Sequence, residues 1–539
     1  MLKDIPALTL IALIPLAGAL LTLLLPGRRS TWPRGVALVA TAIPLLLSVW
    51  LFAEYDPLVG GAAFAEHFTW LSIPLNAEAW GPESGVASYR LIFDYRLGID
   101  GLSLPLVLLT GVVALMAAFA SVHIRKRWKT YYSLFLLLQT GMYGVFLARD
   151  LTLFFIFFEL TLIPMFFLIG IWGYFGREKA ANRFLVYNGL GSAFMLLAFL
   201  ILIATLGFTA EATSGGSVFS FTGNYEVLLA HLGDPNAPAN VAQPGNAMYL
   251  SASLKWTAFI LLLVAFGIKL PIFPFHTWML KVHAEAPPSV VMIHSGVLLK
   301  MGVYGLIRFA AFLLPEQLHA WAPVLATLGV VNILYGAVLA CVQQEFKLVL
   351  AYSSISHMGI VLLGIASLNE IGLQGAVYQA VSHGLISALL FLVVGTLYER
   401  TGTTKLEELG GLARSVPFTA GILLMAGLAS LGLPGLSGFV GELLSFLGLF
   451  GSMKALTAIG ALGILLAAVY VLRSVLGITF GPMPERFIGM KDARFVEALP
   501  MVTLAAVILV LGVYPSLLTD LMQHGFDGLL KQLSMKAGG

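Results

Sequence analysis

Apolar residues occur along this chain in runs of about twenty, parted by short polar connections, and fourteen such runs can be counted. They lie near 5–25, 35–53, 99–121, 131–148, 151–172, 183–208, 254–280, 288–314, 321–341, 347–366, 371–398, 417–450, 455–480 and 498–521. A helix rises about 1.5 Å per residue, so each run spans a hydrocarbon core of about 30 Å. The pattern predicts an all-α polytopic membrane protein whose two ends face the same side, because the count is even. The first run follows one lysine and one acidic residue and exceeds the apolar part of a signal peptide, so it reads as a retained span. Two connections are long, 54–98 and 209–253, and rich in Gly, Pro, Asn and Ser.

Two runs are interrupted. In LKWTAFILLLVAFGIKLPIFPFHTWML, Pro271 and Pro274 each remove a backbone donor and crowd the preceding turn, so the seventh helix must break. Irregular backbone at this depth is tolerated where protein or trapped water satisfies the freed groups. In the twelfth run, LASLGLPGLSGFVGELLSF carries Gly432, Pro434, Gly435 and Gly438. The interruptions are five spans apart, and consecutive five-span units have opposite orientations. Interrupted helices at matching places in inverted repeats mark ion sites in transporters. The expected division is a three-span region at 1–128 that includes the outer connection 54–98, repeats at 129–314 and 315–480, and a last span with its tail at 481–539.

Composition narrows the chemistry. Of 539 residues, 59% are hydrophobic and 11% charged, and the net charge of +3 comes without a basic stripe interleaved with aromatics, which excludes nucleic acid as a partner. The single cysteine, Cys341, permits no internal disulfide and cannot ligate an iron–sulfur cluster alone. There is no phosphate loop and no strand–GxGxxG–helix unit, so neither ATP nor a nicotinamide is expected to bind here. Basic residues cluster on alternate connections: Arg28, Arg29 and Arg34; Arg125, Lys126, Arg127 and Lys129; Arg177, Lys179 and Arg183; Arg400, Lys405 and Arg414; Arg486, Lys491 and Arg494. That side is read as cytoplasmic, which puts both termini outside.

The candidate residues are charges where hydrocarbon should allow none. Lys269 lies roughly 21 Å along the helix from Lys255, and Lys300 is similarly deep in the next run. A charge at such depth costs about 3 kcal/mol or more and marks a functional candidate, against the plain alternative of a kinked helix with a snorkelling lysine. Glu159 stands alone among phenylalanines and leucines, and it must protonate or find a cation, Lys269 or Lys300. His276 follows the break, with His283 seven residues on. His357 and His383 lie near Ser353, Ser354, Ser356, Tyr378, Gln379 and Ser382, a line of groups able to hold water and relay protons. The alternatives for these two histidines are a haem grip and a structural role. Glu442 closely follows the second interruption. Arg183 enters the sixth run from the cytoplasmic side, where it can snorkel. His294 faces away from Lys300 on an α-helix, and Lys255 and Arg308 read as outer anchors.

The segments GIDGLSLPL, FFELTLIPMFFLIGIWG, GIKLPIFPFHTWMLKVHAEAP, SGVLLKMGVYGLIRF, AYSSISHMG and LPGLSGFVGE resemble the antiporter-like membrane subunits of respiratory complex I, the proton-translocating NADH:quinone oxidoreductase. The likeness covers roughly residues 90 to 480 and is nearest to the M-like branch, subunit 4 of mitochondria. It implies fourteen helices with inverted five-helix repeats and no redox centre. It also implies that Glu159 pairs with Lys269, that Lys300 connects two half-channels, and that Glu442 leads to the other side. His276, His357 and His383 match family histidines along this axis, and Arg183 stands where lysine is more usual. Glu442 suits the M-like branch, since L- and N-like subunits usually have lysine there, and the chain lacks the long lateral helix of the L-like subunit.

No cofactor is then expected in this chain. NADH, FMN, iron–sulfur clusters and quinone would belong to partner subunits. Those partners would be antiporter-like L and N subunits, small membrane subunits and a hydrophilic redox arm, in the lipid of a bacterial plasma membrane. Multisubunit sodium/proton antiporters and membrane-bound hydrogenases share the module and remain the alternatives.

Overall fold

A computed structural model of the chain describes residues 6–25, 31–58, 62–76, 88–124, 126–213 and 216–537. Arg28, Arg29 and Arg125, counted among the basic groups above, lie outside the described residues. Among the described residues, twelve helices are long and apolar enough to cross a membrane. Spans one to three are Ala7–Leu24, Thr31–Glu54 and Ser103–His123; five and six are Leu151–Trp172 and Arg177–Thr205. Span eight is Pro288–Ala311, and spans nine to eleven are Pro315–Val342, Phe346–Ala366 and Glu370–Thr401. Spans thirteen and fourteen are Lys454–Phe480 and Phe495–Val513, and the twelfth of these helices, Ala252–Lys269, is the first half of span seven. Fourteen spans result when Trp128–Leu147 is added as span four and the half-helices Pro417–Ser430 and Ser437–Phe450 as span twelve. The last span is shorter than expected. It stops at Val513, before Pro515, and the short helix Ser516–Met522 follows.

Both interruptions form, and neighbouring residues satisfy the opened backbone. Span seven ends at Lys269 and resumes as Thr277–Glu285. In the gap the Phe273 amide donates to Asn332 of span nine at 2.8 Å, and the Trp278 indole donates to the Ile268 carbonyl at 3.1 Å. These bonds remove the penalty of bare amides and carbonyls in hydrocarbon. Span twelve opens at Gly432 and Gly435, whose φ angles of +78° and +92° suit glycine. The first half of span twelve is capped from outside the membrane, because Asp492 accepts from the Phe418 amide at 2.7 Å and the Thr419 amide at 3.2 Å.

The all-α expectation holds within the membrane, but the two long connections contribute a small sheet. Strands β1 (Ala63–Pro74) and β2 (Ser88–Ile99) come from the first, and β3 (Phe208–Thr213) and β4 (Gly216–Thr222) from the second. Their order is β1-β2-β4-β3, with β2 and β4 parallel, so the sheet joins the two connections. At the centre of the helices, spans eight and eleven are enclosed by protein along their lengths. Spans one, two and thirteen instead turn residues such as Leu24, Leu46 and Leu465 outward. Polar groups on spans eight and eleven are thus shielded from lipid.

Candidate functional site

The breaks, the buried spans and the intramembrane charges meet on one axis. Lys269, at the end of the first half of span seven, is buried, with its ammonium 4.7 Å from the Phe158 ring centre and 5.8 Å from that of Phe184. These contacts stabilise a cation through the negative ring faces. Glu159 sits on span five one residue beyond Phe158, and its buried Oε1 has no hydrogen-bond partner. Glu159 and Lys269 form no direct ion pair in this structure, yet the carboxylate is near enough for its charge to act on the ammonium, whose side faces Phe158.

Lys300 is wholly buried, and its ammonium donates to the Ser295 carbonyl at 2.5 Å and lies 2.8 Å from His383 Nδ1. The His383 and His357 rings are 5.4 Å apart. His357 Nδ1 is 3.4 Å from a Glu442 carboxylate oxygen and 3.2 Å from the Gln379 amide nitrogen, and Nε2 is 3.4 Å from the Ser430 hydroxyl. Spans eight, eleven, ten and twelve so supply a side-chain line from Lys300 to Glu442 at the second interruption. Gly432 keeps that end open: a Cβ there would lie 2.6 Å from a Glu442 oxygen.

Two residues join the axis that the sequence reading had not counted together. His283 Nε2 lies 2.9 Å from His294 Nδ1, both rings are buried, and each has its other nitrogen unpaired. His294 also packs 6.1 Å from the Phe184 ring, so Phe184 lies between it and Lys269. His294 is not bonded to Lys300; at the start of the π-turn His294–Leu298 its ring meets His283 instead. His276 turns elsewhere, 3.1 Å from the Tyr335 hydroxyl, and so does not share a partner with His283.

Arg183 is not part of the buried line. Span six turns Ala180, Phe184, Asn188 and Gly191 inward, and Arg183 lies off that face, exposed. The reading of Arg308 as an outer anchor is also corrected: it is buried and bonded to Asp100 at 2.6 Å. Lys255 does lie at a half-buried rim position, 3.5 Å from Glu316. Gln139, Ser295 and Asn188 carry further buried polar atoms without protein partners, and groups of that kind are ordinarily satisfied by ordered water.

Residues 148–469 match the family described as the transmembrane region of NADH:quinone oxidoreductase/Mrp antiporter proteins. The chain belongs to this family. The matched stretch contains Glu159, Lys269, Lys300, His357, His383 and Glu442, so the whole axis lies within the family's shared part. Among relatives, NAD(P)H-quinone oxidoreductase chain 4 of Thermosynechococcus vestitus is 41% identical, covering 80% of this chain and 72% of its own. The corresponding chain of Gloeobacter violaceus is 36% identical over 98% of this chain and 93% of its own. Among solved structures, respiratory complex I from Thermus thermophilus contains a chain with a TM-score of 0.79 and 30% identity, covering 97% of this chain and 99% of that one. A chain of the Mrp complex from Dietzia sp. shares the fold, with a TM-score of 0.76, 22% identity, and coverage of 98% of this chain and 97% of that one.

Proposed function

We propose that this antiporter-like family member is a proton-translocating membrane subunit of a complex I-type NADH:quinone oxidoreductase and carries no redox centre itself. The observation that supports this most is the line Lys300–His383–His357–Glu442, buried at mid-membrane and ending at an interrupted helix. Its members can each hold and release a proton, while sodium would call for several oxygen ligands, and this line offers mainly nitrogen. NADH, FMN, iron–sulfur clusters and quinone are assigned to partner subunits. The chain sits in a bacterial plasma membrane with both termini outside, an orientation supported by the basic residues on alternate connections.

The mechanism is electrostatic. A charge change arriving from a neighbouring subunit brings Glu159 toward Lys269 or separates them, and so stabilises or destabilises the ammonium. At about 5 Å and an effective dielectric of about 20, two unit charges interact by about 3 kcal/mol. That matches the scale of moving one proton against 100 mV, about 2.3 kcal/mol. A proton released at Lys269 passes by the histidines and Lys300 to Glu442, then outward. A second reading, membership of a different redox complex, is favoured by the likeness to a chain of a membrane-bound sulfane sulfur reductase, with a TM-score of 0.77 and 28% identity over 96% of this chain and 77% of that one. Native purification decides between them. Copurifying NADH-oxidising and antiporter-like subunits support the first reading; a sulfur-reducing partner, or no redox partner, contradicts it.

A further inference from the structure

The axis has two ways toward the side that carries the sheet, and they are built differently. Beyond Glu442, Ser445 is buried with an unpartnered hydroxyl, and the Asn369 amide donates to the Gly448 carbonyl at 2.7 Å. Ser367, Asn369 and Ser452 then line a cavity of about 580 Å³. Beyond Lys300 the path is aromatic. Phe154 lies 6.1 Å from Tyr304 and 4.6 Å from Phe309, Phe266 lies 6.0 Å from Phe309, and Phe146 lies 5.4 Å from Tyr304. All five rings are buried.

Above the rings sits a compact group of charges. Arg308, two turns past Lys300, bonds Asp100 at 2.6 Å and donates to the Tyr304 hydroxyl at 3.2 Å. Arg149 bonds the same Asp100 at 2.8 Å and Glu226 at 3.0 Å, and Arg96 bonds Glu226 at 3.0 Å. Burial acts to raise the Asp100 carboxyl, but Arg308 and Arg149 outweigh it and hold the group below the usual carboxylate range. Three arginines thus meet two carboxylates, with the buried Asp150 carboxyl close by, near enough to feel the Glu226 charge. Buried ion groups contribute little to stability compared with apolar packing, so stability alone does not account for this one.

We propose that the ring cluster around Phe154 and Phe309, capped by the Arg308–Asp100–Arg149 group, is a proton seal that closes the Lys300 branch on the sheet side. The phenylalanine rings offer no hydrogen bond to a water file, the Tyr304 hydroxyl is held by Arg308, and an arginine that never gives up its proton repels an approaching one. The seal directs a proton at Lys300 along His383 and His357. The inference rests on the proton-carrying reading of Lys300.

The test uses the assembled complex in vesicles, with an imposed pH gradient and no electron donor, and reads the passive decay of the gradient. Arg308 and Lys300 lie about 12 Å apart along the helix, and a unit charge at that distance and a dielectric of about 20 changes proton occupancy by about tenfold. Arg308→Gln is therefore expected to speed the decay by up to about tenfold, with quinone reduction retained. Arg308→Lys, which keeps the charge, should remain tight. Phe154→Ala opens the ring layer independently and should leak even if Arg308→Gln fails to assemble. Adding Lys300→Met should abolish either leak. Parental decay in the assembled variants, or a leak that persists with Lys300→Met, overturns the proposal. Undiminished pumping by Lys300→Met alone would instead contradict the underlying reading of Lys300.

Discussion

Residue by residue, proton transfer through this chain depends on which charges survive inside hydrocarbon and what holds them. Lys269 packs against the faces of Phe158 and Phe184, and the Glu159 charge acts on it without a direct ion pair. Glu159 is then free to act on it from a distance and to change that action by a small movement. Glu159→Gln should lower proton pumping by at least about tenfold while the assembly still forms, since removing an interaction of about 3 kcal/mol shifts the equilibrium well beyond that. Glu159→Asp should retain part of the activity. Dye quenching in vesicles checks this, and full pumping by the Gln variant contradicts it. Lys269→Arg should also pump poorly, because guanidinium stays protonated at every relevant pH whereas a buried lysine can release its proton. If Lys269→Arg vesicles pump like the parent, Lys269 is only a counter-charge.

Single residues were legible where their chemistry clashed with the surrounding run. Lys269, Lys300, Glu159 and Glu442 stand out for that reason, and the structure places Lys300 and Glu442 at the two ends of one buried line. The His283–His294 contact was not legible, because it joins residues on two helices across the turn at Ala286 and Pro287. Arg308 was misread because its partner, Asp100, lies 208 residues away. Arg183 had two readings, a snorkelling arginine and a family counterpart on the axis, and its exposure off the packing face of its helix agrees with the first.

At the scale of elements, the two breaks carry most of the meaning. Proline and glycine announced both, but not the residues that make them tolerable. Asn332 is one of these, and Asn332→Leu should leave the Phe273 amide unpaired at a cost of about 1–3 kcal/mol. The expected result is a shorter half-life of the isolated complex at elevated temperature; a half-life equal to the parent's shows that another acceptor serves.

Asp492 supports the other break from the connection between spans thirteen and fourteen. Burial alone raises its carboxyl, but the Thr419 hydroxyl and the amides of Ala493, Phe418 and Thr419 outweigh burial and hold it below the ordinary range. A carboxyl lowered in the folded state contributes stability that is complete above its unfolded value, about 3.9, and is lost as pH falls through the folded value. Asp492→Ala should therefore destabilise by about 1 kcal/mol at neutral pH, with a parent–variant difference that is flat above about pH 5 and shrinks only in stronger acid. Thermal unfolding in detergent across pH reads this, and a difference that vanishes near neutrality contradicts it. The sheet was the element-scale surprise. SYRLIFDYRLGI has strand-like β-branched and aromatic content, yet its pairing with β4 depends on a segment more than a hundred residues later, which no local pattern encodes.

Across the whole molecule, two interrupted helices stand among the fourteen described spans, and the enclosed spans eight and eleven lie between other helices. This much was legible, because a fourteen-run pattern with interruptions five spans apart admits few other arrangements. The route along the axis was not, since it depends on rings and imidazoles meeting across four helices. On the proposed route a proton leaves this axis by Glu442. The most direct test is the proton-to-electron ratio of vesicles bearing Glu442→Gln, Glu442→Asp and Glu442→Lys, measured from about pH 6 to 9 to bracket imidazole titration. The Gln variant should pump poorly, the Asp variant nearly normally, and the Lys variant partly, with a displaced pH optimum because the local charge is reversed. Equal, near-parental ratios in all three across that range would contradict the claim.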